Sequence, residues 1–288
     1  RQARKDRPTK QAEVDGAAAA ADDDGEGDSA ALDNIEIKVP EGAGEYRFRM
    51  PRVNHARVKI QTNAITIGGK TFVLKERSVP GQDDVVYEKH RDVWEAVPRG
   101  HCIVSVETGK NEYTPVGEML GMHKFGYREA KYGRRSDIKT VVAIEKENGE
   151  CAHLGAFSHD GVRYWLAGSK HVTIFFRDTH AEEDIKAFQA KPRTKMACKV
   201  ARMAAQTLQG ITKEQRNDFH EALAGPGWTA NAEVIFADSQ HIVDYNEIND
   251  LRFYAITGPG PTETFGLCAI GPDQSKALFE RCGLHAIK

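Results

Sequence analysis

The sequence predicts an α+β fold in which antiparallel sheets pack against helices, and three observations support this class. Runs rich in β-branched and aromatic residues are typical of strands, and they are concentrated in separate parts of the chain. Neighbouring runs are joined by short turn signals such as Asn-Gly, Asp-Gly and Gly-Gly, which favour hairpins. Helical patterns follow one another instead of alternating with the strands, so a parallel sheet with a helix after each strand is not expected.

The first 34 residues are expected to form a disordered tail. They contain DGAAAAADDDGEGDSAALD, a low-complexity tract with no aromatic residue and little to bury. Structure is predicted to begin near Ile35. ARVKIQ, AITIGG and KTFVLKE then form a small β-rich start with a hairpin turn at Gly68-Gly69. We therefore expect one domain over residues 35–288.

The most strand-like part of the chain is predicted to form an antiparallel meander. Its runs are TVVAIEK, CAHLGAF, VRYWLAG and VTIFFR, and the turns between them are Asn148-Gly149, Asp160-Gly161 and Ser169-Lys170. Helices are predicted over 194–209 and 213–223, followed by strands in NAEVIFA, HIVDY and LRFYAIT. A last helix is predicted over 272–282, ending at Gly283.

Composition excludes several classes of protein. No run approaches the roughly 18 apolar residues of a membrane span, and neither GxGxxG nor a P-loop motif occurs. The five cysteines are an odd number without zinc-site spacing, so we expect reduced thiols in an intracellular compartment.

The run from Lys186 to Arg202 holds six cations and no acid, which predicts either a solvated face or a surface for a nucleic-acid backbone.

Lys146 is the candidate nucleophile. It ends the run TVVAIEK and is followed at once by the predicted Asn148-Gly149 turn. A lysine amine attacks phosphorus only when it is held in line and has lost its proton, and a strand end beside a rigid turn meets the positional demand. A lysine beside Asn-Gly is also an ordinary surface feature, so the surrounding motifs decide between the two readings.

These motifs resemble those of the covalent nucleotidyltransferases, the superfamily of ATP-dependent RNA and DNA ligases and mRNA capping enzymes. Lys146-Glu147-Asn148-Gly149 is similar to their KxDG signature. The order of the other elements resembles RNA ligases of the phage and fungal tRNA-ligase type, over about residues 97 to 285. Those elements are Arg99-Gly100, then Lys124, Phe125 and Glu129 in HKFGYREAKYG, Ser169-Lys170, Glu233 in WTANAEVIFADSQHIVDY, and the strand LRFYAIT.

The resemblance implies a role for each matching residue. Lys146 would attack the α-phosphate of ATP to form lysyl-AMP, and AMP would pass to an RNA 5′-phosphate that a 3′-hydroxyl then seals. Glu233 would hold the ribose or the metal, Mg²⁺ would neutralise the triphosphate, and Phe253 would stack on adenine. The remaining residues expected at the ATP site are the phosphate-binding cations Arg99, Lys124 and Lys170, together with Glu145, Asn148, Gly149 and Ser169.

The sequence also allows structural interpretations of several of these residues. Glu233 could be a paired structural carboxylate, Phe253 a core aromatic, Arg99 and Lys124 surface charges, and His241 either a substrate contact or a satisfied histidine.

Two departures from the family pattern bear on activity. Asn148 replaces the usual aspartate, and no Glu-Gly strand or Lys-x-Lys strand is found before Lys288. We therefore expect either a fragment of a longer ligase, with a downstream domain or partner subunits, or a pseudo-enzyme. The alternatives to an RNA ligase are a catalytically inactive RNA-binding subunit of a larger assembly and a capping-type guanylyltransferase. The physiological RNA is left open.

Overall fold

The computed structural model describes residues 35–45, 47–124, 141–239, 243–260 and 267–288. It confirms a mixed α+β fold with two antiparallel sheets and several helices. The predicted tail over residues 1–34 lies outside the described residues, as do Phe125, Glu129, His241 and Ile242. Within the described residues, no helix is both long and apolar enough to cross a membrane.

The first sheet contains four strands in sequence order. They are β1 (Lys59–Ile67), β2 (Lys70–Ser78), β3 (Cys102–Gly109) and β4 (Glu112–Met119). The β1–β2 hairpin turns at Gly68 and Gly69, both at positive φ, as predicted. Between β2 and β3 lie two short helices that the sequence patterns missed, α1 (Asp84–Lys89) and α2 (Arg91–Ala96). They cover a small separate core formed by Val79, Val86, Tyr87, Val93 and Val97.

The second sheet has six strands in the order β10-β9-β8-β5-β6-β7, and every pairing is antiparallel. Its strands are β5 (Glu150–His159), β6 (Val162–Gly168), β7 (Thr173–Arg177), β8 (Thr229–Ile235), β9 (Asp250–Gly258) and β10 (Leu267–Cys268). Asp160 and Gly161, both at positive φ, turn β5 into β6. The N–H of Ser169 donates to the carbonyl of Val172 (2.9 Å) in the turn into β7. The predicted meander is therefore confirmed from β5 to β7.

Four helices pack with this sheet. They are α3 (Ala181–Phe188), α4 (Lys195–Gly210), α5 (Lys213–Ala224) and α6 (Pro272–Arg281). α4 packs on β6 and β7, α5 on β5 and α6 on β9, so one face of the sheet is covered by helices. The other face meets β4 of the first sheet. The three predicted helices are confirmed to within one residue at each end.

The segment before β5 corrects the sequence prediction. Residues 141–148 carry no helix or strand, and β5 begins only at Glu150, so Asn148-Gly149 does not join two strands. Val141 is 79% exposed and Ile144 46%, although both were expected in a strand. β-Branched composition predicts a strand only where a neighbour supplies backbone partners. Here the N–H of Glu145 donates to the Lys288 carbonyl (2.8 Å), so the segment runs beside the C-terminal residues.

Candidate nucleotidyl-transfer site

Lys146 lies at the entrance to β5, four residues before the strand begins. Its side chain is exposed, and its ammonium group is 3.3 Å from both the Glu147 carbonyl and the Asn148 Oδ1. The backbone then passes very close to β8, because a Cβ added to Gly149 would lie 2.4 Å from the Val234 carbonyl oxygen. Glycine is therefore required at this position by the close approach of the two backbones.

Glu147 is the buried residue of this exposed segment. Its carboxylate accepts a hydrogen bond from Tyr245 Oη (2.7 Å) and is paired with the Arg252 guanidinium. Tyr245 Oη in turn accepts the N–H of Asn148 (2.8 Å). Sequence reasoning gave none of these three side chains a role, although Tyr245 ends the IVDY segment and Arg252 is a charged residue inside the apolar run LRFYAIT.

Glu233 lies on β8, close enough to Lys146 for the lysine charge to act on its carboxyl. It lies opposite Cys151 of β5 and opposite Arg252 of β9. Burial raises the pKa of its carboxyl to about 7, against the lowering effects of the Lys146 charge, the Gly149 N–H and Arg99. Of the sequence-predicted residues, Lys146, Gly149, Glu233 and Arg99 are thus brought together.

The predicted phosphate-binding cations converge on two acids at the start of α1. Lys170 Nζ lies 2.8 Å from Asp83 Oδ1, and Arg99 Nη2 lies 3.5 Å from Asp83 Oδ2. Lys124 Nζ lies 2.7 Å from Asp84 Oδ1. Asp84 has a lowered pKa, first because of its hydrogen bond with Lys124, and Lys170 and Arg99 add to the effect. The three cations therefore form one cluster, with Arg99 at the end nearest Glu233.

Neutral groups line the sheet beside Arg99. The imidazole of His153 is 3.2 Å from Asn231 Oδ1 and 3.4 Å from Cys151 Sγ. Burial, with a further contribution from Arg99, lowers the His153 pKa to about 4, so the ring is neutral at pH 7. Burial raises the pKa of the Cys151 thiol to about 12, so it stays protonated. A Cβ on Gly100 would come within 2.5 Å of the His153 ring, which explains the glycine after Arg99.

Phe253 does not belong to the site, which corrects the expectation that it stacks on adenine. It is fully buried and packs against Phe219 of α5 and Phe279 of α6, so neither ring face is free for a base. Successive residues of a strand point to opposite faces, and the next residue, Tyr254, interacts with Cys151, Glu233 and Arg99. Tyr254 is therefore the aromatic residue of β9 on the side of the site.

The other predicted residues have local roles in the described structure. Glu145 is exposed and anchored through its backbone N–H, and Ser169 is buried and closes the β6–β7 turn. The run from Lys186 to Arg202 does not form a continuous positively charged surface, because four of its six cations form ion pairs. These are Lys186 with Glu182, Arg193 with Glu76, Lys199 with Asp238 and Arg202 with Glu182.

Comparison with known proteins assigns the fold unit to a family. A family model described as Domain of unknown function (DUF7920) matches residues 45–288. The chain belongs to this DUF7920 family. No curated protein and no solved structure matches it.

The DUF7920 domain can be tested for a fit to Mg²⁺ from its carboxylates. Among its described residues, no three His, Cys, Asp or Glu side chains are grouped to hold a metal ion. Glu233 does have a second carboxylate near it, because the charge of Glu150 contributes to its raised pKa. Mg²⁺ in nucleotide sites is usually held by one or two carboxylates together with phosphate oxygens. The described carboxylates therefore do not form a metal site by themselves, and Mg²⁺ at Glu233 would need phosphate oxygens as further ligands.

Proposed function

We propose that residues 35–288 form the adenylyltransferase domain of an ATP-dependent RNA ligase. The observation that carries the proposal is the set of charges around Glu233: Lys146 and Arg99 both favour its charged form, and Arg99 shares Asp83 with Lys170. These residues are far apart in sequence and were selected by motif order alone. Residues that bind one nucleotide must lie close together in the fold. Three cations near a nucleophilic lysine can bind the phosphates of a nucleoside triphosphate.

The proposed reaction is an in-line transfer of the adenylyl group. The Lys146 nitrogen forms a bond to the α-phosphorus of ATP, the bond from that phosphorus to the pyrophosphate oxygen breaks, and the amine proton passes to solvent. Pyrophosphate leaves, and lysyl-AMP remains. The AMP then moves to an RNA 5′-phosphate, from which a 3′-hydroxyl displaces it to seal the strands.

Each residue contributes position or charge. Arg99, Lys124 and Lys170 would hold phosphate oxygens, and Glu233 would hold the ribose or the metal. Mg²⁺, when bound, supplies neutralisation of phosphate charge. Phosphoryl transfer depends mostly on such positioning and electrostatics. Tyr254 replaces Phe253 as the residue of β9 proposed to contact the nucleotide.

A second candidate is a catalytically inactive RNA-binding subunit of a larger assembly. One observation favours it: Asp83 and Asp84 already engage all three cations proposed to bind phosphate. An active enzyme must exchange these carboxylates for phosphate oxygens when ATP binds. A capping-type guanylyltransferase would use the same cluster with GTP.

Labelling with nucleotide separates the candidates. The purified chain is incubated with ATP or GTP carrying label in either the α- or the γ-phosphate, with Mg²⁺, and covalent label is measured after denaturation. An RNA ligase retains α-label from ATP and no γ-label, and Lys146→Ala abolishes the signal. Lys213→Ala, at an exposed lysine that begins α5, is the matched control and keeps it. Label from GTP alone supports the capping reading, and no label with folded, RNA-binding protein supports the inactive subunit.

A further inference from the structure

Lys146 lies in a segment without regular structure, yet the backbone on both sides of it is fixed. The N–H of Glu145 donates to the Lys288 carbonyl (2.8 Å), and the N–H of Asn148 donates to Tyr245 Oη (2.8 Å). Gly149 is pressed against the Val234 carbonyl. Surface loops are usually more mobile than the elements they connect, whereas these contacts hold the backbone on both sides of the lysine.

Glu147 is the centre of the anchoring. Only 9% of its side chain is exposed, and it is held by Tyr245 Oη (2.7 Å) and by the guanidinium of Arg252. A buried carboxylate is costly unless it is paired and hydrogen-bonded, so Glu147 depends on both partners. Tyr245 binds the Glu147 side chain and the Asn148 backbone at once, and thereby fixes two consecutive residues after the lysine.

Arg252 connects this arrangement to the sheet. Its guanidinium lies 5.1 Å from the centre of the Tyr245 ring, and its Nε donates to Asp250 (2.8 Å). Asp250 Oδ2 is also 2.7 Å from His285 Nδ1. The N–H of Phe253 donates to the His285 carbonyl (2.8 Å), so the chain of contacts reaches the C-terminal segment whose Lys288 carbonyl holds Glu145.

We propose that Glu147, Tyr245 and Arg252 are positioning residues that hold the Lys146 amine in line with the α-phosphate. The inference rests on the proposed function. These residues act through the backbone of Glu147 and Asn148 and do not touch the reacting atoms. They therefore control the rate of attack by Lys146 and leave the binding of ATP to the cation cluster.

The test measures lysyl-AMP formation in single turnovers across a range of ATP concentrations. In Glu147→Gln and Tyr245→Phe, the maximal rate falls by about 100-fold, the loss expected from misplacing a reacting group by about 1 Å. The ATP concentration giving half-maximal rate stays the same. Arg252→Lys retains a cation for Glu147 and recovers part of the rate, whereas Arg252→Ala does not.

Asp178→Asn is the matched control for loss of a buried acid. The Asp178 side chain is also 9% exposed and also accepts from an arginine and a ring donor, Arg163 and Trp165 Nε1, both at 2.9 Å. It joins β6 to the end of β7 and is not part of the Lys146 cluster. The Asp178→Asn variant should lower the thermal unfolding midpoint as the site variants do, but its adenylation rate per folded molecule should be unchanged. Rates of Glu147→Gln and Tyr245→Phe equal to wild type overturn the proposal.

Amide hydrogen exchange separates this inference from the proposed function. Tyr245→Phe removes the acceptor of the Asn148 N–H, so exchange over residues 145–149 speeds up in the absence of any nucleotide. If the wild type forms no adduct, the proposed function fails. The anchoring is then judged by exchange alone, and unchanged exchange in Tyr245→Phe overturns it.

Discussion

Replacing Gly149 with alanine is expected to damage both stability and Lys146 chemistry. The added Cβ would lie 2.4 Å from the Val234 carbonyl oxygen, whereas ordinary contacts begin at 3.4 Å. The backbone must therefore move by about 3.4 − 2.4 = 1.0 Å. The atom in the way belongs to the backbone of β8 and cannot rotate aside. Forcing such a contact costs about 1–3 kcal/mol of folding free energy.

The same displacement moves Lys146, three residues earlier. A shift of about 1 Å in a reacting group costs about 100-fold in rate. The assays are urea unfolding for stability and α-labelled ATP for adduct formation. Gly210→Ala is the control, because a Cβ at that helical position meets nothing within 4 Å. Because Gly210 is the last residue of its helix, Gly210→Ala should change the folding free energy by no more than about 0.5 kcal/mol and leave the adduct unchanged. Unfolding of Gly149→Ala at the same urea concentration as wild type would show that the added Cβ is accommodated without cost.

Three further predictions follow from buried side chains. Burial raises the pKa of Glu118 from 4.5 to about 7, so its contribution to stability is present below pH 4.5 and is lost as pH rises through 7. Urea titrations should show about 3 kcal/mol of this loss, and Glu118→Gln should remove it. Phe253→Ala should cost about 3–5 kcal/mol on unfolding, while Phe253→Leu should keep wild-type ATP affinity; a large affinity loss in the leucine variant would restore the stacking role. Asp83→Asn should free Lys170 and Arg99 and tighten pyrophosphate binding about ten-fold by calorimetry, since a charge-assisted hydrogen bond is worth about 1.5 kcal/mol; unchanged affinity would count against a phosphate-binding cluster.

Local sequence signals were sufficient for β5 to β9 and for three of the four helices on the second sheet, whereas α3 and β10 were not predicted and residues 243–245 of the predicted strand HIVDY form no strand. The Asp160-Gly161 turn and the apolar runs around it specify β5 and β6 without reference to distant residues. The helix over Lys213–Ala224 begins with a capping box formed by Thr212 and Gln215, which is also a local device. Such elements are predictable because the residues that form them are close together in the chain.

The errors occur where a distant partner decides the outcome. Residues 141–148 have strand composition but lie beside the C-terminal residues without forming a strand. On β9, a register irregularity between Asn231 and Ala232 of its partner strand accompanies the placement of Phe253 in the core and Tyr254 beside Glu233. Alternation alone does not say which of two adjacent aromatics faces a site.

The candidate site shows the same division. Motif order selected Lys146, Glu233 and Arg99, and the structure brings them together. The order of motifs did not reveal that Glu147 is buried between Tyr245 and Arg252, because these partners lie about a hundred positions away. Charge pairs of this kind become visible only when the strands are packed.

The position of the adenylyl group on the chain decides whether Lys146 is the nucleophile. The wild-type chain is incubated with ATP and Mg²⁺, digested, and examined by tandem mass spectrometry, with part of the sample first chased with 5′-phosphorylated RNA. An RNA ligase carries one AMP on Lys146, joined by an acid-labile nitrogen–phosphorus bond and discharged by the RNA or by pyrophosphate. AMP on another residue, or no covalent nucleotide on folded protein, would contradict the proposed role of Lys146.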